Sequence, residues 1–348
     1  MSTLSASPLK PWVPKLGNLI PEFFGVLITA FATFGIVAIT PLKGKLGFSV
    51  VLIVMAIIVS GAISWIRRDR RAAQNSTTTV LVYVAAAFVL MPLISILFEI
   101  ITQGYSGLAL NLFTQDMSVT ASDSPLTQGG LLHAIIGTLY VVGIATLLST
   151  PIGLLAALYI VEVRGRYAAL ARFFIQAMSG IPSIVAGLFI YAIWMINLGN
   201  SYSAFAGAVA LTILMIPTVA RTSEEVLKLI PEDLREAGLA LGGTQWRTVA
   251  MIVIPAAKSG LITSVILGVA RVAGETAPLL LTMGGADAIN LNPTDGNNSA
   301  LPFYVWKYLG LGNEISIQRA WTGVLILMFL VFIFFTATRY FGRARSSK

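Results

Sequence analysis

The chain has 348 residues, 56% hydrophobic and 11% charged, with a mean hydropathy of +0.84; a soluble domain carries about 25% charged residues, so lipid must be its main solvent. The net charge of +8 does not point to nucleic acid, because the basic residues stand in short tracts beside apolar runs, the pattern that orients membrane helices. With no cysteine, disulfides, thiolate metal sites and cysteine nucleophiles are excluded.

Segments that cross lipid must satisfy their backbone polar groups internally. The apolar runs here are continuous and about 20 residues or longer, as helices require, whereas barrel strands alternate over about ten. Residues 1–20, with Pro8, Pro11 and Pro14, read as a cytosolic tail rather than a cleaved signal peptide. Eight spans follow, at 22–40, 46–66, 78–101, 131–161, 173–197, 203–222, 255–283 and 319–341. The fourth exceeds what a bilayer needs, and Ser149-Thr150-Pro151 predicts a kink or an extension into the cytosol. A boundary at 67–78 divides a tail and helical hairpin (1–72) from a six-helix core (73–348).

Basic residues set the direction. One set of loops holds Arg67, Arg68, Arg70 and Arg71, then Arg164, Arg166 and Arg172, then Arg221, Lys228, Arg235, Arg247 and Lys258, then Arg339, Arg343, Arg345 and Lys348. The opposite loops hold few: none in 102–132, and Lys307 alone in 284–318. The rich set faces the cytosol, which puts both termini inside. Lys43 and Lys45, on the outer side in this scheme, run against the trend. The loops at 102–130 and 284–318, rich in Gly, Ser, Asn and Asp, read as irregular outer surface.

The largest polar stretch on the basic side is 222–255. Thr222 with Glu225 fits a capping box, and Pro231-Glu232-Asp233 fits a helix start, with acids at the positive end of the dipole. Gly242-Gly243 fits a stop and Thr244 a new cap. Two short helices joined by a glycine turn are predicted. Ala237, Gly238 and Ala240 make the first small-sided, open to close approach by another surface. Local pattern alone fits equally an amphipathic connector lying on the membrane.

The seventh span carries charge. Arg271 lies well inside 255–283, where an arginine costs about 2.5–3.5 kcal/mol on insertion scales. Glu275, four residues on, would share its helix face. The pair either neutralises itself and holds helices in register, or Arg271 meets an anion in transit, its guanidinium matching phosphate or carboxylate oxygens. Intramembrane ionisable groups favour the second reading. Gly274 and Ala273 leave room for close helix packing.

Glu236-Ala237-Gly238, three residues, Gly242, nine residues, then Ile252-Val253-Ile254-Pro255 is similar to the EAA-x3-G-x9-I-x-L-P signature of ABC importer permeases. Gly238 replaces the second alanine and Ile254 the leucine. Ala270 to Leu280, ARVAGETAPLL, and Gly180 to Phe189, GIPSIVAGLF, resemble stretches of phosphate-specific importer permeases of the PstA type. The resemblance covers about 78–341. It implies an all-α membrane protein: a type I ABC importer permease core of six transmembrane helices, here with an extra N-terminal hairpin. It also implies a PstC-like partner subunit, two copies of an ABC ATPase, and an extracytoplasmic phosphate-binding protein. Glu236, Ala237, Gly238 and Gly242 match the motif that docks on the ATPase; Arg271 and Glu275 match charged positions of the phosphate path.

No Walker A pattern occurs in the sequence, so ATP and magnesium are expected on the partner ATPase and no catalysis on this chain. The rival readings are an ion-coupled secondary anion transporter and a non-transporting scaffold or phosphate-signalling component. His133, the one histidine, reads as interfacial packing, not as a metal ligand. Asp116, Asp123, Asp287 and Asp295 read as solvated, and Trp306, Tyr308 and Trp321 as an outer aromatic belt. Glu224 and Glu225 read as capping or loop charges.

Overall fold

The computed structural model describes residues 16–41 and 44–342. Most of the expected tail, Lys43, and the basic residues Arg343, Arg345 and Lys348 lie outside the described residues. The described residues contain no β-strand; Gly284 and Asn298 make an isolated bridge. By packing, the chain divides into two compact units, Met1–Leu97 and Phe98–Lys348.

The first unit holds helix α1 (Leu16–Ile39) packed on α2 (Lys45–Arg67), with Phe34 and Phe48 in edge-to-face contact at 5.2 Å. Helix α3 (Arg70–Tyr105) starts here and runs through the boundary into the second unit. The side chain of Asp69 caps its start, accepting from the Ala72 backbone N–H at 2.7 Å.

The second unit is built on α4 (Leu132–Leu158) and α7 (Ala204–Lys228), the most extensively packed helix pair. Alanines line the interior of α7: Ala204, Ala206, Ala208 and Ala210 are all fully buried. Small residues let helix backbones approach where the hydrophobic effect gives no drive, as in lipid. Ser223 and Ser264 meet at 2.6 Å, joining α7 to α10 (Ile254–Ala273). Large apolar side chains such as Phe329 and Phe332 of α13 (Glu314–Gly342) are exposed, as lipid-facing residues are.

Six described helices are long and apolar enough to cross a membrane, and the pair α5 (Ala168–Ser179) and α6 (Ser183–Ile190, continued by a π turn to Asn197), bent by 101° at its break, is a seventh apolar element with the shape of a broken span or a re-entrant loop. Phe23–Ile39 of α1 is a shorter apolar segment. Two predicted spans are therefore broken. The fifth turns sharply at Gly180–Pro182. The seventh ends at Ala273 and resumes as the short α11 (Ala277–Thr282). The residue before a proline is disfavoured in the helical region, so Ile181 is non-helical and Pro182 precedes the first restart, whereas Pro278 stands in the first turn of α11, where its missing N–H costs nothing. The fourth span continues through Pro151 and ends in a π turn, Tyr159–Val163.

Thr222 and Glu225 are not a capping box: α7 runs through both to Lys228. The second outer stretch is irregular only over residues 284–300; α12 (Leu301–Leu311) and the start of α13 occupy the rest. Tyr304 and Tyr308 of α12 stack at 4.2 Å and are buried, so Tyr308 belongs to a core rather than an aromatic belt. His133 is buried against Tyr304, ring centroids 5.7 Å apart, and neither nitrogen has a hydrogen-bond partner among the described residues. It is a packing residue, deeper than an interface.

The end opposite the basic loops is stitched by polar contacts. Met117 N–H donates to the Asp287 carbonyl at 3.0 Å, and Ile289 N–H to Asp116 Oδ2 at 3.1 Å. Lys307 pairs with Asp287 at 2.6 Å. The hydroxyl and backbone N–H of Ser118 donate to Asp116, and these bonds hold its carboxyl below the usual range. These aspartates thus fasten loops together, whereas Asp123 is exposed as expected. Arg319, 2% exposed, donates to the carbonyls of Ser124, Pro125 and Gln128 at 2.9–3.1 Å. Arg319→Ala would strip three carbonyls of a shared donor. Leaving such groups unsatisfied costs about 1–3 kcal/mol, so amide exchange across 112–131 should accelerate by about 5- to 150-fold, read by hydrogen–deuterium exchange on the intact protein.

Candidate functional site

Arg271 stands in the last turn of α10, three residues before the helix break. Its Nη1 donates to Thr218 Oγ1 at 3.3 Å, its one hydrogen bond among the described residues. Thr218 lies in α7 about 21 Å from Ala204 and about 15 Å from Lys228 at 1.5 Å per residue, close to mid-helix. The guanidinium therefore lies beside the middle of α7, inside the apolar run and toward its basic end, and it is exposed rather than packed away. Pro217 beside Thr218 has no N–H, which leaves one α7 carbonyl without its helical donor.

Glu275 does not share the face expected of it. The helix ends at Ala273, Gly274 follows as its cap, and Glu275 lies beyond it, half-buried, its backbone N–H donating to the Val272 carbonyl at 3.2 Å. No ion pair joins it to Arg271 among the described residues. The i to i+4 relation holds only while the helix continues, and here it does not. The structure thus keeps Arg271 free of a carboxylate, its partner a neutral hydroxyl. Arg221, three residues along α7 from Thr218 and on the same face, is also exposed and donates to Ser179 Oγ at 3.4 Å.

The two broken helices pack through their short second halves, α6 on α11. At Gly187 a Cβ would sit 2.6 Å from Pro278 Cα, so only glycine permits this approach. The two motifs that resemble permease segments, 180–189 and 270–280, are in this way neighbours in space.

At the basic end, α8 (Glu232–Ala240) and α9 (Gln245–Thr248) form the predicted pair of short helices, and α9 runs through a π turn into α10. Thr244 caps α9, its hydroxyl accepting from the Arg247 N–H at 3.4 Å, and Gly242 makes the turn with φ 81°. The four motif residues divide. Glu236 and Ala237 are exposed, and Ala240 and Leu241 extend their surface. Gly238 is buried: a Cβ there would lie 2.7 Å from both Thr248 Cγ2 and Ile252 Cδ1. The surface that approaches Gly238 is the chain's own α9 and π turn, not another protein.

Several ion pairs hold these helices, and sequence pattern missed them. Arg235 forks onto Glu162 in the π turn after α4, at 2.7–3.2 Å. Arg164 meets Glu232 at 2.7 Å, and that hydrogen bond holds the Glu232 carboxyl below its ordinary value. Glu224 is not a loop charge; it is buried and pairs with Arg172 and Lys228, each at 2.9 Å.

A helical bundle with an exposed guanidinium inside its apolar run, two apolar segments broken near their middles and a polar two-helix loop on its basic end has the organisation of a transport permease subunit. Residues 149–347 match the family model of the binding-protein-dependent transport system inner membrane component, and the chain belongs to that family. It is 37% identical over 264 residues to phosphate transport system permease protein PstA 1 of Mycobacterium tuberculosis (strain ATCC 25618 / H37Rv), covering 75% of this chain and 85% of that protein. It is 38% identical over 275 residues to PstA of Haemophilus influenzae, covering 78% and 94% respectively. In fold it is similar to the inward-facing MetNI methionine ABC transporter, with a TM-score of 0.50 at 21% identity over 62% of this chain and 96% of that one.

The division within the motif is testable. Gly238→Ala should tilt α8 away from Thr248 and Ile252 and lower transport by the assembled complex. Adding Thr248→Ser and Ile252→Val, which remove the two opposing methyl groups, should restore it. Reconstituted uptake checks the pair, and full activity of Gly238→Ala alone would refute the packing role.

Proposed function

We propose that this chain is a transmembrane subunit of an ATP-driven importer of inorganic phosphate. The observation that carries this reading is Arg271: a guanidinium inside the apolar run, exposed, bonded to a hydroxyl and, among the described residues, to no carboxylate. An arginine kept in lipid without a counter-ion is costly, so it belongs beside a wet path, where its N–H fork suits a phosphate oxyanion. The relatives named phosphate transport system permease proteins support that substrate. Glu275, on the irregular segment just beyond, would accept a hydrogen bond from a protonated phosphate oxygen.

The partners follow from the exposed face of α8. Glu236, Ala237, Ala240 and Leu241 present a small-sided, partly apolar surface at the basic end. This surface would dock on a separate ABC ATPase, present in two copies and carrying ATP and magnesium, while Gly238 and Gly242 shape the helix behind it. A PstC-like permease would complete the pore, and an extracytoplasmic phosphate-binding protein would deliver the substrate. The basic end faces the cytosol, with both termini there, in the plasma membrane of a bacterium or archaeon. Residues 1–72 are an added hairpin on a 73–348 core. Transport proceeds by alternating access: ATP binding biases the ATPase pair between two states, and differential contact through α8 biases the bundle.

Two variants test this reading. Arg271→Ala should abolish radiolabelled phosphate uptake by proteoliposomes of the full complex while leaving assembly intact, with Arg271→Lys intermediate because the fork is lost but the charge kept. Ala237→Trp, on the exposed face, should reduce co-purification of the ATPase without unfolding the permease. Undiminished uptake in Arg271→Ala would remove the basis for an anion path here.

A further inference from the structure

The two ends of the second unit hold buried charge in different ways. At the outer end Arg319 satisfies carbonyls of one loop. At the basic end a single guanidinium joins three separate elements. Arg235 leaves α8 and meets Glu162 with Nε and Nη2, at 2.7–3.2 Å. The remaining N–H groups donate to the carbonyls of Ile230 at 2.6 Å and Leu227 at 3.0 Å, at the end of α7. Gln245 of α9 donates to the Glu162 backbone carbonyl at 2.6 Å. Both charged side chains are shielded, 12% and 6% exposed.

Replacing a buried ion pair by apolar residues is often neutral or stabilising, so the pair is a weak device for stability. Its best-attested use is fixing register between elements. Here the elements are α8, which faces away from the bundle, and α4 and α7, which form its centre. The bond is forked and backed by carbonyls, so α8 cannot slide or rotate without carrying the ends of both helices. Helix α7 then runs unbroken to Thr218, the partner of Arg271.

We infer that Glu162 and Arg235 form the strut through which displacement of α8 is passed to α4 and α7, making them positioning residues for energy coupling. This rests on the reading above that α8 docks on an ATPase. Arg164 with Glu232 is the weaker companion: both side chains are more than half exposed, and exposed pairs contribute little. Severing the strut leaves the docking face of α8 in place, because Gly238 still packs on Thr248 and Ile252. The expected result is an ATPase that binds and turns over without moving substrate.

The test uses the full complex, with binding protein, in proteoliposomes, measuring phosphate uptake and ATP hydrolysis in the same vesicles. Glu162→Gln and Arg235→Lys should keep the ATPase bound while phosphate moved per ATP falls at least tenfold. Glu162→Asp, which keeps the carboxylate, should recover part of it. A purely structural role would lower assembled complex and scale both rates down together, leaving the ratio unchanged; that result overturns the proposal. So does failure of all three variants to assemble, which assigns the pair to folding. Wild-type complex run in parallel separates the two readings, since no phosphate uptake by wild type tells against phosphate and not against the strut. A second readout needs no substrate. Nucleotide trapping should alter amide exchange at both 232–240 and 159–167 in wild type. In Glu162→Gln the first change should persist and the second vanish, and persistence of both would overturn the strut.

Discussion

An exposed guanidinium within an apolar bundle is the constraint that orders the rest of the structure. Arg271 cannot face lipid at low cost, and no carboxylate among the described residues neutralises it. Its one hydrogen-bond partner there is the Thr218 hydroxyl, and the helix that carries it breaks three residues on, at Gly274. Non-helical backbone at such depth is tolerated only where protein buries it or where it lines a water-filled cavity. The packing of α6 on α11 meets the first condition for one side of the break. The exposure of Arg271 and Gly274 fits the second for the other.

Most of the architecture was legible because the bilayer enforces one simple rule, a long apolar run for every crossing. The second, third and fourth spans, the sixth and the last need nothing else. The polar loop was legible for a second reason: caps and glycine stops act locally, so Pro231, Gly242 and Thr244 mark the ends of α8 and α9 without tertiary context. The breaks in the fifth and seventh spans were not, because hydropathy is blind to backbone conformation and both runs stay apolar across them. Pro182 and Pro278 were visible, yet Pro151 and Pro217 sit inside continuous helices. A proline alone does not decide the matter; Gly180 and Gly274 just before the two restarts distinguish the cases.

The site was half legible for a related reason. Arg271 follows from the cost of charge in lipid, which depends on depth alone. Its relation to Glu275 was inferred from helical periodicity, and periodicity ends with the helix. Glu162 and Arg235 are 73 residues apart, and no local rule couples them. Arg319 was overlooked because an arginine at the first turn of a span looks like an ordinary boundary charge. Only the folded loop 111–131 shows that it holds three carbonyls.

The distribution of polar bonding has a mechanical consequence. Both ends of the second unit are tied by charge-assisted bonds, Asp287 to Lys307 at one and Glu162 to Arg235 at the other. Between them the bond from Arg271 to Thr218 is long, at 3.3 Å, and that threonine donates only weakly, at 3.5 Å, to Leu214, whereas Ser223 and Ser264 join the same two helices at 2.6 Å. Motion between two states should therefore be rigid-body displacement of helices with their end ties intact, and the Arg271–Thr218 bond should be among those that exchange. On the proposed reading of Arg271 as an anion contact, a weak hydroxyl partner suits that exchange: an anion would replace it without first displacing a carboxylate, whereas a salt-bridged Arg271 would make the substrate compete with a fixed charge at every cycle.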